Sequence, residues 1–253
     1  MDTNESPEAG TSAVTVPASI DFDAMYCGES SLSRLFGDPD LIPWDIGEPQ
    51  PALVELEETG QIGSEVLDAG CGLGDNAFFL ADCGYRVTAF DAAPTAIKRA
   101  RERALALGTD VEFLVADATE LTGLDGRFST VVDSALYHCL GLDERRRYIQ
   151  AVHRVCKSGA RIHLVCLSDN RVRRLEVVNY ISEAELREVF ATGWEITTLR
   201  PIGYVTSFTR AHLVQSAAAF NYDNVDDYLR DTLTIDERGR YLCPSWLLTA
   251  RRR

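Results

Sequence analysis

Apolar residues in this chain first fall into regular order near residue 65, and from there short apolar runs alternate with longer amphipathic stretches. Runs at 65–69, 86–90, 111–116, 128–134 and 160–167 have the length and β-branched content of buried strands, whereas 75–82, 94–107 and 143–157 carry apolar positions at helical spacing. Strand alternating with helix predicts an α/β fold built on a parallel, doubly wound sheet. Further on, Ser182-Glu183-Ala184-Glu185 forms a capping box for a helix ending near Phe190. Two more strand-like stretches, 193–207 and 241–250, flank residues 209–240, which are too many for a hairpin turn and are read as an insertion with a helical stretch at 225–229. Upstream, residues 1–19 are rich in Thr, Ser, Pro, Glu and Ala without an aromatic and are expected to be disordered. Large side chains begin at Ile20, and 30–36 and 51–58 have helical spacing. The division expected is therefore a tail at 1–19, an N-terminal segment at 20–60 and a main domain at 61–253.

Between the first strand and the first helix of that domain lies Asp68-Ala69-Gly70-Cys71-Gly72-Leu73-Gly74-Asp75-Asn76. Glycines at alternate positions let the backbone turn sharply and let a ligand approach, and the following helix presents unpaired N–H groups. The spacing is G-x-G-x-G, whereas the dinucleotide fingerprint G-x-G-x-x-G needs a glycine where Asp75 stands. Acids on both sides of the turn, Asp68 and Asp75, make it a poor phosphate site and a better one for a ligand bearing an ammonium or sulfonium.

The run D-A-G-C-G-L-G resembles motif I of the class I S-adenosylmethionine (SAM)-dependent methyltransferases, and the likeness extends over residues 64–169. It implies a Rossmann-like sheet, mostly parallel and closed by an antiparallel terminal strand pair. It implies SAM as cofactor, S-adenosylhomocysteine as product, and contacts from Asp68, Ala69, Gly70, Cys71, Gly72 and Asn76. Asp91, with Ala92 behind it, falls where the family holds both ribose hydroxyls, and Asp117, followed by Ala118, where it faces the adenine amino group. Ser134 ends the fourth strand, beneath the methyl group. Each acid taken alone is equally a turn or helix cap; their series after three successive strands is what points to a cofactor site.

The acceptor side is carried by segments outside this core. Pro43-Trp44-Asp45-Ile46-Gly47 resembles the N-terminal segment of thiopurine, thiol and halide methyltransferases, in which the Trp helps to cover the cofactor. Together with Phe22-Asp23-Ala24-Met25-Tyr26 and Pro244-Ser245-Trp246-Leu247-Leu248-Thr249-Ala250 it is more similar to the mycobacterial heterocyclic-toxin methyltransferases, associated with capping hydroxyquinolones. A hydroxyl acceptor must lose a proton, which a neutral imidazole can take near neutral pH. Of the four histidines only His138 falls at the cofactor-side end of a strand; His153 and His163 fall in scaffold elements and His212 opens the insertion. His138 is thus the candidate base, with Asp23 and Tyr26 as candidates to orient acceptor or base and Phe22 and Tyr137 as candidate substrate contacts. Each has a plainer reading as cap, anchor or core.

Composition narrows the partners. The chain has 253 residues, of which 45% are hydrophobic, and 25 basic against 39 acidic residues give a net charge of −14. Such a surface repels phosphate backbones and anionic membranes, so nucleic acid and membrane are not expected as partners. The runs Arg145-Arg146-Arg147 and Arg251-Arg252-Arg253 stand out and are read as a solvated helix face and terminus. Seven cysteines, an odd number with no C-x-x-C pair, suit reduced thiols in a cytoplasmic protein, a monomer or homodimer. No metal-binding set of Asp, Asp and Asn is assignable. The expectation is methyl transfer from SAM to a hydroxyl or ring nitrogen of a small aromatic heterocycle, in detoxification. The alternatives are a thiol, thiopurine or halide methyltransferase and a non-catalytic SAM-binding regulatory module, with a nicotinamide oxidoreductase opposed by the glycine spacing.

Overall fold

The computed structural model describes residues 20–170, 178–217, 224, 226 and 234–253. Expectations for residues 1–19 and, apart from Asp226, for the helical stretch at 225–229 lie outside it.

Five parallel strands form in the order expected: β1 (Glu65–Ala69), β2 (Arg86–Asp91), β3 (Glu112–Val115), β4 (Phe128–Ser134) and β5 (Cys156–Leu167). The helices that return the chain are α4 (Asp75–Asp82), α5 (Pro94–Leu107) and α6 (Leu142–Val155). After α7 (Glu183–Val189) come β6 (Trp194–Val205), α8 (Arg210–Ser216), β7 (Thr234–Ile235) and β8 (Tyr241–Arg252). Sheet order is β3-β2-β1-β4-β5-β8-β6, with β8 antiparallel to both β5 and β6 and β7 paired to β8. The strand order reverses between β1 and β4, and the crevice outside the carboxyl ends of two such strands is where doubly wound sheets bind ligands.

Both sheet faces are covered. One carries Leu67, Phe90, Val131, Tyr148, Ile162, Trp194 and Leu248, and the other Val66, Ala89, Ile97, Val132, Val165 and Leu247. Residues 20–60 add α1 (Phe22–Cys27), α2 (Ser31–Leu35) and α3 (Pro51–Glu58). Their apolar side chains make two smaller clusters, one with Leu213 and Tyr241 and the other with Leu73, Ala93 and Ala96. The segment is thus bound to the domain by burial of Met25, Tyr26, Leu32 and Ile42 rather than lying free.

Three expectations need correction. The helix read as 143–157 ends at Val155 and β5 opens at Cys156 instead of 160, because the chain pairs with β4 from Phe128↔Cys156 through a register shift that Gly159 accommodates at φ +74°. Arg145 is no solvated helix residue: it is 5% exposed, its Nε donates to Leu140 O at 2.9 Å, its guanidinium lies 5.7 Å from the Tyr137 ring centre, and it pairs with Glu185 of α7. The C-terminal arginines are solvated as expected at Arg251 and Arg253, but they are no loose terminus: β8 runs to Arg252, Arg251 pairs with Glu195 at 2.7 Å, and Arg253 N donates to Gly193 O at 2.9 Å.

Removing one partner of a buried ion pair strands the other, at about 3–5 kcal/mol. Glu185→Ala is therefore expected to lower unfolding stability by about 3 kcal/mol in urea titration, with Arg145→Leu/Glu185→Leu recovering much of the loss.

Candidate active site at the carboxyl ends of β1 and β4

Gly70 and Gly72 adopt left-handed φ of +67° and +52°. A Cβ on Gly70 would come 2.8 Å from Leu136 Cβ, and one on Gly72 would come 2.7 Å from the Tyr26 hydroxyl. Glycine is therefore required for two close approaches, of the β4 turn on one side and of the N-terminal segment on the other. Cys71 N donates to Phe90 O at 2.9 Å, which fixes the loop to the end of β2. Asp75, in the first turn of α4, pairs with Arg103, whose second nitrogen donates to Leu73 O at 2.7 Å.

Four acids, Asp68, Asp133, Asp91 and Asp75, converge here. Asp68 and Asp133 are 1% and 0% exposed; Asp68 has a sealed Oδ2 without a close hydrogen-bond partner, and Asp133 lies against the buried Tyr148 hydroxyl. Burial, reinforced for Asp68 by the neighbouring Asp133, Asp91 and Asp75, pushes both carboxyls up to about 7. Asp91 Oδ2 accepts from Gly72 N at 3.0 Å and its Oδ1 from Ala93 N at 2.9 Å; burial raises its pKa against the pull of these bonds. Asp117 is exposed, and its Oδ1 accepts from both the amide and the hydroxyl of Thr119, bonds that hold its pKa down. No described ion pair reaches Asp68 or Asp133.

The β4 turn carries the candidate base. Asp133 Oδ1 accepts from Leu136 N at 2.9 Å and Tyr137 N at 3.3 Å, and between them Ala135 takes φ +82°, unusual for a residue with a side chain. His138 sits in the short 3-10 turn Tyr137–Cys139, 9% exposed, with Nδ1 sealed and unbonded. Burial first, and Arg145 second, lower its pKa to about 4, so the ring is neutral at neutral pH. Tyr137, expected at the substrate, is fully buried in the main core beside Arg145. Ser134 Oγ is sealed beside the Tyr204 hydroxyl.

The N-terminal segment covers this crevice. Trp44 Nε1 donates to the Tyr26 hydroxyl at 2.9 Å, and the Phe22 and Trp44 rings stand 5.6 Å apart. Asp23, expected near the acceptor, instead has both oxygens on Thr95, accepting from its N at 2.8 Å and its hydroxyl at 3.1 Å; it caps the first turn of α5. Asn76 Oδ1 accepts from Gln50 N at 3.1 Å, so this expected cofactor residue also ties α3 to α4. Ala69 and Ala118 are core residues, whereas Ala92 is exposed next to Asp91. Sequence reading missed Asp133, Gln50 and Asn179. Asp133 carried a signal, an acid at the end of an apolar strand; Gln50 and Asn179 carried none, since they bond 155 and 41 residues away.

These residues fit SAM. The buried Asp68 carboxyl favours a cationic ligand, the Asp91 carboxyl lies at the glycine loop, and Gly70 and Gly72 let the β4 turn and the N-terminal segment close on that loop. Among the described residues there is no cluster of three or more His, Cys, Asp or Glu able to hold a metal, and no helix is long and apolar enough to cross a membrane.

Comparison with known proteins agrees with this geometry. A family described as a methyltransferase domain matches residues 66–159. A 2-heptyl-1-hydroxyquinolin-4(1H)-one methyltransferase from Mycobacteroides abscessus is 38% identical over 183 residues, 71% of this chain and 78% of that one. A structure determined for the conversion of a disulfide bond into a thioacetal group during echinomycin biosynthesis superposes with TM-score 0.72 at 35% identity, covering 91% of both chains. A Burkholderia thailandensis 1,6-didemethyltoxoflavin-N1-methyltransferase with bound S-adenosylhomocysteine shares the fold alone, at 20% identity, TM-score 0.55, and 80% and 76% coverage.

Unfolded, the two buried acids titrate near ~3.9, so between there and about 7 the native state keeps protons that the unfolded chain has released. Their contribution to stability is present at low pH and is lost as pH rises through about 7. In the ligand-free protein the urea midpoint is expected to carry a component that falls over this window, and Asp68→Asn is expected to flatten it.

Proposed function

We propose that this chain, which belongs to the class I SAM-dependent methyltransferases, methylates a hydroxyl or ring nitrogen of a small, hydroxyquinolone-like aromatic heterocycle and so detoxifies it. The observation that carries the acceptor assignment is His138, a neutral imidazole with an unbonded Nδ1 in the turn that follows β4. The hydroxyquinolone methyltransferase relative supports the same acceptor class.

Bound SAM supplies a methyl group already activated on a sulfonium, so the chain's task is to hold, orient and deprotonate. We assign Asp68 to the cofactor ammonium, because its Oδ2 otherwise stays buried without a partner. Asp91 and Ala92 are assigned to the ribose, Asp117 and Ala118 to the adenine edge, and Gly70, Cys71, Gly72 and Asn76 to the cradle beneath. Ser134 and His138 face the reacting end, and Phe22 and Trp44 close it from above. Residues 20–60 act as a lid, supported by the bond from Trp44 to Tyr26 over Gly72.

The lowered basicity of His138 limits the acceptor. A plain phenol near ~10 lies about six units above a conjugate acid near 4, a proton-transfer cost of about 8 kcal/mol. Acceptors whose hydroxyl ionises well below phenol, as an N-hydroxy or heteroaromatic hydroxyl does, suit this base better. A second reading is methylation of sulfur, favoured by the structure associated with disulfide conversion and by the P-W-D-I-G segment; a sulfur lone pair or thiolate needs no base.

One assay separates the two. S-adenosylhomocysteine release across hydroxyquinolones, phenols, thiols and iodide is expected to be highest on the hydroxyquinolones and to fall at least about a hundredfold in His138→Ala, the usual scale of general base catalysis. Turnover confined to thiol or iodide and unchanged in the variant would transfer the chain to sulfur or halide methylation. For the lid, Tyr26→Phe is expected to weaken SAM binding about two- to tenfold by calorimetry, the scale of one hydrogen bond, with little change in Tm.

A further inference from the structure

The turn that carries His138 is bonded at both ends by side chains from other parts of the chain. At its start, Asp133 Oδ1 accepts from Leu136 N and Tyr137 N and holds Ala135 in its left-handed conformation. At its end, Asn179 Nδ2 donates to His138 O at 3.0 Å and to Leu140 O at 3.3 Å. Arg145 also donates to Leu140 O, but Asn179 alone of the described side chains bonds the His138 carbonyl.

Asn179 is fixed in turn by its neighbour two residues on. Ile181 N donates to Leu167 O at 2.9 Å, and Ile181 O accepts from Asp169 N at 3.1 Å and from Trp246 Nε1 at 3.0 Å. This anchors the segment to the end of β5 and to β8. Asn179 itself is exposed, so its side chain adds no core packing. An exposed amide bonding the backbone of the one described histidine whose ring carries a sealed, unpaired nitrogen can hold that ring in place without contributing to the core.

We propose that Asn179 is a positioning residue for methyl transfer, holding the His138 turn so that the imidazole meets the acceptor proton. This rests on the reading of His138 as the base. Misplacing a catalytic group by about 1 Å costs on the order of a hundredfold in rate. Asp133 holds the other end of the turn, but its burial makes it a poor probe, and Asn179 is the position to test.

The experiment measures kcat and KM on a hydroxyquinolone, SAM affinity by calorimetry and Tm for wild type, Asn179→Asp, Asn179→Ala, His138→Ala and His138→Ala/Asn179→Ala. Asn179→Asp keeps the shape and removes the donor. Expected for both Asn179 variants is a ten- to hundredfold lower kcat, with SAM affinity and Tm near wild type and the double variant no slower than His138→Ala. A double variant slower than His138→Ala by the full Asn179 factor would overturn the proposal and leave the base reading standing, as would wild-type kcat in both Asn179 variants. Wild-type turnover in His138→Ala would overturn the base reading and the positioning role with it.

Discussion

Two carboxyls, Asp68 and Asp133, are sealed at the carboxyl ends of adjacent strands, and no described ion pair reaches either of them. Ionising a carboxylate in such a place costs several kcal/mol when no counter-charge is present, and here each raises the cost for its neighbours. A fold selected for stability alone would put apolar residues at these positions. Strand order explains why they meet: β1 and β4 are neighbours where the sheet reverses direction of growth, so their ends open one crevice. The glycine loop, the β4 turn and the N-terminal segment all close on that crevice, and the close contacts at Gly70 and Gly72 follow from this convergence. A cationic ligand relieves what the protein leaves unpaired, which is why a sulfonium cofactor suits the site and a pyrophosphate does not.

What the sequence made legible was local. Strand runs, the capping box at Ser182 and the glycine spacing depend on residues a few positions apart, and apart from the earlier start of β5 those elements stand where expected, with Ser182 Oγ accepting from Glu185 N at 3.1 Å. Side-chain destinations that depend on distant partners were not legible. Asp23 lies in a segment rich in candidate chemistry, yet its oxygens are taken by Thr95, 72 residues on. Tyr137 and His138 are consecutive, and only the short turn after Ala135 decides that the tyrosine ring enters the core beside Arg145. Arg145 opens a basic run that reads as solvated until α7 brings Glu185 against it. β8 lies between β5 and β6 though last in sequence, which is how the C-terminal arginines come to extend a sheet strand.

The histidines differ in the one observation that supports the proposed role of His138. Burial lowers both His138 and His163 to about 4, so the shift alone does not distinguish them. The difference is in their hydrogen bonds. His163 lies 2.9 Å from the Thr249 hydroxyl through Nδ1 and 3.2 Å from Gln61 O through Nε2, so that the carbonyl fixes the proton on Nε2 and both nitrogens are satisfied. His138 has a sealed Nδ1 with nothing bonded to it. A buried unpaired polar nitrogen costs about 1–3 kcal/mol, a cost that a partner from outside the chain can recover. On the proposed function, with His138 as base, the ligand pair that suits this acid-lined crevice is a positively charged methyl donor and an acceptor with an acidic hydrogen. The turn that carries this nitrogen is bonded on both sides, by the Asp133 carboxyl from within and by the Asn179 amide from the surface, with Ala135 between them at positive φ.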